Sequence, residues 1–379
     1  MTLVSVEKLD QYDPALAENV IERQFAALSV EKDLRPGMRV VIKVNLVSAH
    51  APEQSVTTHP VLIGAVVRYL RKCGITDIVI ADSPGGPYTP EKLKHIYRTC
   101  GLLPLEPDAR LNYDTSFRSV PCPEGFSVRS FNRITPVVEA DYLINMAKLK
   151  THGMITLTAG MKNLFGTIPG LQKPEMHYRF PELDAFSHML LELAQSVSPQ
   201  ITILDAVDGM EGDGPSGGTT RHVGLVFASR DMYTQDWYAA KRIGLIPEDI
   251  SMLRQALAMG LARPNELELT GSGVLPGHEF DPLDPPFVLP KATTVDFGAR
   301  FPKPLRKPIV AIAKRFFRPV PYLKPDLCIG CGRCAESCPQ HIITMKNGRA
   351  HFGRQNCISC FCCQEMCPQK AIDVKRRVR

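Results

Sequence analysis

Eight cysteines near the end of the chain carry the clearest chemical signal. They form two runs with the spacing Cys-x2-Cys-x2-Cys-x3-Cys-Pro, which begin at Cys328 and at Cys357. The second run repeats the first at an offset of 29 residues, as from Cys328 to Cys357, and Cys-Pro-Gln closes both runs. Thiolates at this spacing bind 4Fe–4S clusters. The duplication therefore predicts two such clusters.

The spacing also predicts which cysteines share a cluster. The first three cysteines of a run lie on one tight loop and can bind three corners of one cubane, whereas the fourth lies beyond the loop and reaches the other cluster. The first predicted set is Cys328, Cys331, Cys334 and Cys367, and the second is Cys338, Cys357, Cys360 and Cys363.

Structural zinc and disulfides are the alternatives for these cysteines. Zinc sites usually need two pairs of ligands rather than two interlocked runs of four. Disulfides imply an oxidising compartment, and residues 1–5 lack the start of a secretory signal. Cys362 falls between two ligand positions, so we expect a spare thiol there. Cys73, Cys100 and Cys122 have no ligand spacing, and we expect buried thiols.

Length, composition and charge limit the class of protein. A chain of 379 residues with 44% apolar residues fits two or three globular domains, and no apolar run has the length of a membrane span. Residues 301–379 contain 16 Lys and Arg against 4 Asp and Glu, whereas residues 1–300 contain 29 against 35. Nucleic acid is a poor partner because the usual basic and aromatic modules are missing. We expect a cytoplasmic protein of an anaerobic or low-oxygen metabolism.

Strand and helix patterns alternate through the first part of the chain and predict an α/β fold with a mostly parallel sheet and crossover helices. The predicted strands are 40–46, 77–81, 142–146, 201–205 and 223–228, and the predicted helices are 15–28, 59–73, 90–100, 183–197, 231–243 and 247–262. Residues 104–136 are expected to hold short edge strands. The α/β domain is predicted to cover residues 1–273.

A proline-rich basic segment, residues 274–321, is predicted to link this domain to a small α+β two-cluster module at residues 322–379. Within it, residues 309–317 could form a short basic amphipathic helix. Membrane-surface contact through residues 303–318 is one interpretation. Packing against the first domain is favoured, because nine residues make a weak anchor.

Two resemblances support this division. Residues 322–375 resemble two-cluster ferredoxins, which implies a pseudosymmetric module for one-electron transfer. Residues 38–245 resemble the family of domain of unknown function 362, whose members often end in a two-cluster ferredoxin. That resemblance implies an iron–sulfur protein of anaerobes without a settled reaction. It depends on motifs at 43–45, 58–60, 82–83, 148–152, 160–166 and 205–209.

The polar residues of these motifs follow the predicted strands, and ligands bind at the carboxyl ends of strands in open α/β sheets. The candidate ligand-binding residues are Lys43, Asn45, Asp82, Lys148, Asn163, Asp205 and Asp208. Lys150, His152 and Lys162 are candidate catalytic residues, because they could bind a carboxylate or phosphate and deliver protons. The alternative is that these groups pair with one another and fix loops, and for His177 a structural role is favoured. The sequence leaves open whether the protein binds an additional, unidentified cofactor.

The glycine-rich segment 208–218 does not favour a nucleotide site. It lacks the Gly-Lys-Ser/Thr ending of a phosphate loop, and no Gly-x-Gly-x-x-Gly follows a first strand. We expect a turn or a lid.

Two functions follow. The first is an iron–sulfur redox protein that passes electrons to a small anionic ligand in the α/β domain. The second is a docking protein that relays electrons to a partner enzyme. A third, a non-redox isomerase or ligase with sensing clusters, is less favoured.

The cysteine pattern gives a direct prediction. Protein purified without oxygen should contain about eight irons per chain, because two cubanes hold four each. Iron and sulfide analysis measures this. Four irons or fewer, or stoichiometric zinc, would contradict the two-cluster assignment.

Overall fold

A computed structural model describes residues 1–290, 319–353 and 356–376 of the chain. The predicted basic helix at 309–317, and with it the membrane-contact segment 303–318, lies outside these residues. Among the described residues no helix is long and apolar enough to cross a membrane.

The strands of the α/β domain are β1 Thr2–Lys8, β2 Arg39–Lys43, β3 Asp77–Ala81, β4 Arg110–Leu111, β5 Phe117–Pro121, β6 Ser130–Ile134, β7 Tyr142–His152, β8 Thr156–Thr158, β9 Ile201–Glu211, β10 Thr219–Ser229 and β11 Leu267–Thr270. Its α-helices are α1 Pro14–Ala27, α2 Pro60–Lys72, α3 Pro90–Thr99, α4 Thr135–Val138, α5 Gly160–Asn163, α6 Gln172–Arg179, α7 Leu183–Val197, α8 Met232–Arg242 and α9 Ser251–Ala258. Short 3₁₀ helices lie at Val30–Asp33, Pro52–Gln54, Leu103–Leu105, Leu164–Thr167, Pro247–Asp249 and Pro264–Glu266.

The main sheet has the strand order β11-β1-β10-β9-β7-β2-β3-β4, and β8 pairs with β7. Neighbouring strands from β9 through β4 are parallel, whereas β10 is antiparallel to both β9 and β1. Helices α1, α2 and α3 pack on one face of the sheet, and α7, α8 and α9 pack on the other. The predicted α/β class with a mostly parallel sheet is confirmed.

The central strand β7 is longer than its predicted segment. All eleven of its residues are buried, because strands β2 and β9 flank it and helices cover both faces. Residues 148–152 therefore lie inside the strand. The sequence interpretation, which placed them past the end of the strand, was wrong on this point. Their charges interrupted the apolar pattern that marks a buried strand.

The sheet differs from the prediction in two further places. Strand β9 runs through Glu211 and pairs with β10, so Asp208 lies in a strand and residues 212–218 form the turn between the two. Strands β1 and β11 were not predicted, and they pair with each other at one edge. Predicted edge strands in residues 104–136 are present as β4, which borders the main sheet, and as the separate pair β5 and β6.

The small module has two antiparallel strand pairs: β12 Pro319–Leu323 with β15 Ile372–Arg376, and β13 Ile343–Lys346 with β14 Arg349–Phe352. A 3₁₀ helix, Pro325–Leu327, precedes the first cysteine run. Helix α10, Arg333–Glu336, and helix α11, Cys362–Glu365, follow the cysteine loops. This repeat of short helix and strand pair agrees with the duplicated sequence.

The described start of the predicted linker packs on the α/β domain. Phe287 is buried in the same apolar cluster as α7 and α8, its backbone N–H donates to the Ile243 carbonyl, and the Gly212 N–H donates to the Val288 carbonyl. Residues 283–288 thus pack on the α/β domain and are hydrogen-bonded to it. The domain boundary at residue 273 stays a prediction.

Phe287→Ala tests this packing. Removing a buried phenylalanine leaves a cavity and should lower the free energy of unfolding by about 3 kcal/mol, as measured by urea denaturation. Val288→Ala is the matched control, because Val288 is 59% exposed and should change stability by less than about 0.5 kcal/mol. If Phe287→Ala lowers the free energy of unfolding as little as Val288→Ala does, the segment does not pack on the domain.

Candidate functional site

The first predicted cluster set is gathered around one small cavity in the module. Cys328, Cys331, Cys334 and Cys367 all line it, together with apolar residues such as Leu323 and Ile372. The fourth cysteine of the second run therefore joins the first three of the first run. The Ala371 N–H also donates to Cys367 Sγ at 3.2 Å, a contact that suits a cluster thiolate.

The cysteines of the second predicted set, Cys338, Cys357, Cys360 and Cys363, also lie close together. Burial is the main reason why the pKa of Cys363 lies well above its ordinary value, and Cys360, Cys357 and Cys338 are close enough to raise it further. Among the described residues no three His, Cys, Asp or Glu side chains could hold a single metal ion. A cubane needs no such group, because each thiolate binds a different iron. The cysteines therefore fit the interlocked ligation of iron–sulfur cubanes.

The module docks on the carboxyl edge of the sheet. Glu365, between Cys363 and Cys367, places Oε1 3.2 Å from His152 Nε2 at the end of β7. Its carbonyl accepts a hydrogen bond from Ser216 Oγ at 2.9 Å. Met366 packs on the loop after β3, where a Cβ at Gly85 would lie 2.5 Å from its Sδ. A glycine at position 85 thus allows the second cysteine loop to reach the sheet.

A cavity of about 100 Å³ lies at this contact, and we call it the interdomain cavity. The α/β domain contributes residues from the ends of β2, β3 and β7 and from α5 and α6, whereas the module contributes Ser337, Cys362, Glu365 and Met366. The polar and charged lining residues of the α/β domain are Lys43, Asn45, Asp82, Ser83, Lys150, His152, Thr158, Lys162, Asn163, Lys173 and His177.

A hydrogen-bonded network fixes the floor of the cavity. Lys43 Nζ lies 2.7 Å from Asp82 Oδ1 and donates to Asn163 Oδ1 at 3.1 Å. Asn45 Nδ2 donates to the same Asn163 oxygen at 2.9 Å, and Lys150 Nζ donates to Asn45 Oδ1 at 2.8 Å and to the Val56 carbonyl. The network joins β2, β3, β7 and α5, because each element or the loop after it contributes a polar side chain.

His152 is held as a neutral imidazole. Its Nδ1 accepts hydrogen bonds from the Met154 N–H at 3.1 Å and the Ile155 N–H at 3.4 Å, so the ring proton is on Nε2 and faces Glu365. Burial, followed by the charge of Lys162, keeps the pKa of His152 well below its ordinary value. Burial also raises the pKa of Glu365 to about 7.

The lysines of the cavity differ in their partners. Lys150 makes two hydrogen bonds, and Lys173 makes two, to Ser83 Oγ and the Ile168 carbonyl. Lys162 is half-buried and lies over the Phe165 ring at 4.7 Å, and no described residue accepts a hydrogen bond from its ammonium. Burial lowers the pKa of Lys43, Lys150 and Lys162, and lowers that of Lys173 to about 7.

Four polar atoms of the wall lack a hydrogen bond. Within the described residues these are His177 Nδ1, Thr158 Oγ1, Asp82 Oδ1 and Glu365 Oε1; the last two have Lys43 and His152 as close neighbours. His177 stacks on Phe186 with 4.1 Å between ring centroids, and burial lowers its pKa to about 3. Unpaired buried polar groups cost free energy, so native proteins pair most of them with protein, water or ligand.

Three predicted ligand-binding residues do not line the interdomain cavity. Lys148 Nζ donates to Asp205 Oδ2 at 2.9 Å and to the Tyr12 hydroxyl at 2.7 Å. Asp205 also accepts from the Tyr12 hydroxyl at 2.8 Å and the His59 N–H at 3.0 Å. Asp208 pairs with His222 at 2.8 Å. These side chains form a separate network whose charges are satisfied by one another.

The sequence thus indicated seven of the residues that line the cavity: Lys43, Asn45, Asp82, Lys150, His152, Lys162 and Asn163. It did not indicate Glu365 or Lys173 as site residues, and it treated Cys362 only as a spare thiol. The sequence did not distinguish Glu365, because the first cysteine run has Glu336 at the equivalent position. Lys173 gave no signal, because it lies on a helix with no motif.

The fold and site define an α/β domain with an iron–sulfur module docked at its strand ends. Residues 320–368 match the 4Fe-4S dicluster domain, which supports iron–sulfur cluster binding and electron transfer. Residues 40–241 match the Domain of unknown function (DUF362), and the chain belongs to this family.

One curated relative is the Thylakoid-associated protein sll1697 of Synechocystis sp. (strain ATCC 27184 / PCC 6803 / Kazusa). It is 31% identical over 247 residues, which cover 62% of this chain and 72% of the relative.

Two solved structures have a weak similarity in fold. One is the lactate racemase apoprotein from Thermoanaerobacterium thermosaccharolyticum, with a TM-score of 0.38, 15% identity and coverage of 61% of this chain and 54% of that chain. The other is a Thermotoga maritima protein, with a TM-score of 0.38, 10% identity and coverage of 62% and 59%. The chain therefore spans between half and two thirds of each structure.

The satisfied Lys148 network should stabilise the fold. Lys148→Met leaves Asp205 buried without its cation and should lower the free energy of unfolding by about 3 kcal/mol, as measured by chemical denaturation. The double change Lys148→Met with Asp205→Asn should recover part of the loss, because the Tyr12 hydroxyl can still donate to the amide oxygen. Full stability of the single variant would contradict a structural role for Lys148.

Proposed function

We propose that this protein transfers electrons through two 4Fe–4S clusters to a small anionic ligand in the interdomain cavity. One observation carries the proposal: residues next to ligand cysteines line the same cavity as Lys162, whose ammonium has no hydrogen-bond acceptor among the described residues. Ser337 and Cys362 adjoin Cys338 and Cys363 of the second set, and Met366 adjoins Cys367 of the first set. The clusters would therefore lie beside the ligand.

Charge supports an anion as the ligand. The described wall carries four lysines, Lys43, Lys150, Lys162 and Lys173, against the two carboxylates Asp82 and Glu365. Desolvation disfavours the charged form of these lysines, and an anion restores it by supplying the opposite charge in place of water. Lys162 and the remaining donors of Lys150 and Lys173 would bind the ligand.

The cavity residues would have different roles in reduction. When bound, the clusters supply electrons one at a time. A two-electron reduction of the ligand would take two electrons from an external one-electron carrier protein and two protons from solvent. Lys150 suits proton delivery, because its lowered pKa makes its ammonium a better acid. His152 would serve as a positioning residue, since its Nε2 lies 3.2 Å from Glu365 Oε1 of the module.

Relay to a partner enzyme is the second candidate, and one observation favours it. The first cysteine set opens to solvent, because Cys331 is exposed and Ile329 beside it is 64% exposed. A redox partner protein could approach the first cluster there. The α/β domain would then bind a ligand without reducing it.

We keep the cytoplasm as the proposed compartment, although one relative is named as thylakoid-associated. Mass spectrometry of the purified chain would also detect an additional bound cofactor.

The test uses the full chain purified without oxygen. Mass spectrometry should find a retained small anion, and photoreduced clusters should be reoxidised when that anion is added. Lys150→Met and His152→Ala should each lose the retained ligand and leave the iron content unchanged, because neither residue is a cluster ligand.

Lys241→Met is the control, because Lys241 lies over Trp237 at 5.4 Å and does not line the cavity. Retention of the ligand in both cavity variants would contradict the anion site. Reoxidation only by a partner protein, with the anion still bound, would favour relay.

A further inference from the structure

The interdomain cavity is unusually rich in donors, and this limits the chemistry of its ligand. Lys162 has three N–H groups without an acceptor in the described part of the chain. Lys150 and Lys173 each have one donor beyond the two hydrogen bonds that they make. Thr158 adds a hydroxyl without a partner. The two carboxylates of the wall have basic neighbours, since Asp82 Oδ1 lies 2.7 Å from Lys43 Nζ and Glu365 Oε1 lies 3.2 Å from His152 Nε2. Neither oxygen accepts a hydrogen bond within the described residues.

Volume limits the size of the buried part of the ligand. An apolar cavity of roughly 150 Å³ holds a benzene ring, which has six non-hydrogen atoms. The interdomain cavity measures about 100 Å³. By this comparison it holds about four or five non-hydrogen atoms. A flavin, a nicotinamide or a nucleotide base is larger.

The position of the donors places the ligand. Lys150 and Thr158 are register partners in the β7–β8 pair. Lys162 lies on α5 beside Phe165, and Cys362 and Glu365 of the module line the same cavity, close enough for their charges to affect the pKa of Lys162. An oxyanion bound by the lysines would therefore lie beside the second cysteine loop.

We propose that the interdomain cavity binds a small oxyanion, either an inorganic oxyanion or a carboxylate with two carbons, with its oxygens bound to Lys162, Lys150 and Thr158. This rests on the proposed function for the identity of the site, but binding itself needs no electron transfer. The shared chemistry is a compact group of two or more acceptor oxygens that carries negative charge. A flavin or nicotinamide as the missing cofactor does not fit this class.

A size and charge series tests the proposal on the full chain with its clusters loaded. The probes are formate, acetate, benzoate, the neutral isostere acetamide, and nitrate as the inorganic arm, each followed by calorimetry. Formate, acetate or nitrate should bind, whereas acetamide and benzoate should bind at least tenfold more weakly. Binding of nitrate but not of the carboxylates would indicate an inorganic oxyanion, and binding of the carboxylates but not of nitrate would indicate a carboxylate.

Spectroscopy locates the bound probe. Electron paramagnetic resonance of the photoreduced protein should show a change in cluster signal when the probe binds, because Cys362 and Met366 border the cavity and are each next to a ligand cysteine. No change in the signal of either cluster would contradict the location.

Variants separate the binding groups from their surroundings. Lys162→Met should weaken acetate or nitrate at least tenfold, and Lys162→Arg should retain most of the affinity because it keeps the charge. Lys241→Met is the matched control, because both lysines are half-buried over an aromatic ring. Thr158→Val is the second variant if Lys162→Met lowers iron content, and it should also weaken binding.

Equal binding of acetamide and acetate, tight binding of benzoate, or wild-type affinity in Lys162→Met would overturn the proposal. If the small anions bind as expected but never reoxidise the clusters, the binding proposal stands and the proposed reductase function fails. The two outcomes are therefore distinguishable in the same protein.

Discussion

Burial of lysine charge at the carboxyl edge of the sheet is the constraint on which the arrangement of the site depends. An ammonium group taken out of water is costly unless carboxylates or other acceptors surround it. Lys43 and Lys148 meet this condition with Asp82 and Asp205. Lys150 does so with an amide oxygen and a backbone carbonyl. The Lys162 ammonium has no such acceptor among the described residues. The edge therefore has lysines whose charge is paired within the fold and one lysine that is available to bind a ligand.

The same edge explains how the small module is held. Glu365 brings a carboxylate to a region with surplus positive charge, and it does so from the short helix that carries Cys362 and Cys363. His152 is fixed by two backbone N–H groups, and its Nε2 lies 3.2 Å from Glu365 Oε1. The contact joins two domains through few residues, yet each of them is already oriented by its own fold.

The sequence predicted most of the elements and a large part of the site, because crossover helices and cysteine spacing leave strong local patterns. Helix α7 and strand β3 have the bounds that their patterns predicted. Strand β7 was predicted too short, since Lys148, Lys150 and His152 interrupt its apolar pattern and only the tertiary network makes their burial tolerable. The separation of Lys148 from Lys150 into different networks could not be predicted, because both lie on the same strand and only their partners on other elements differ.

The two cysteine sets share a sequence pattern but have different surroundings. The first has an exposed cysteine, Cys331, and an exposed isoleucine, Ile329, whereas Cys360 and Cys363 of the second are buried. Duplicated sequence would give two equivalent ends if the module stood alone. Docking on the α/β domain removes that equivalence, because it covers one end with a cationic wall and leaves the other accessible. The two cysteine sets are therefore not equivalent in the folded chain, because one has an exposed cysteine and the loop of the other contacts the α/β domain.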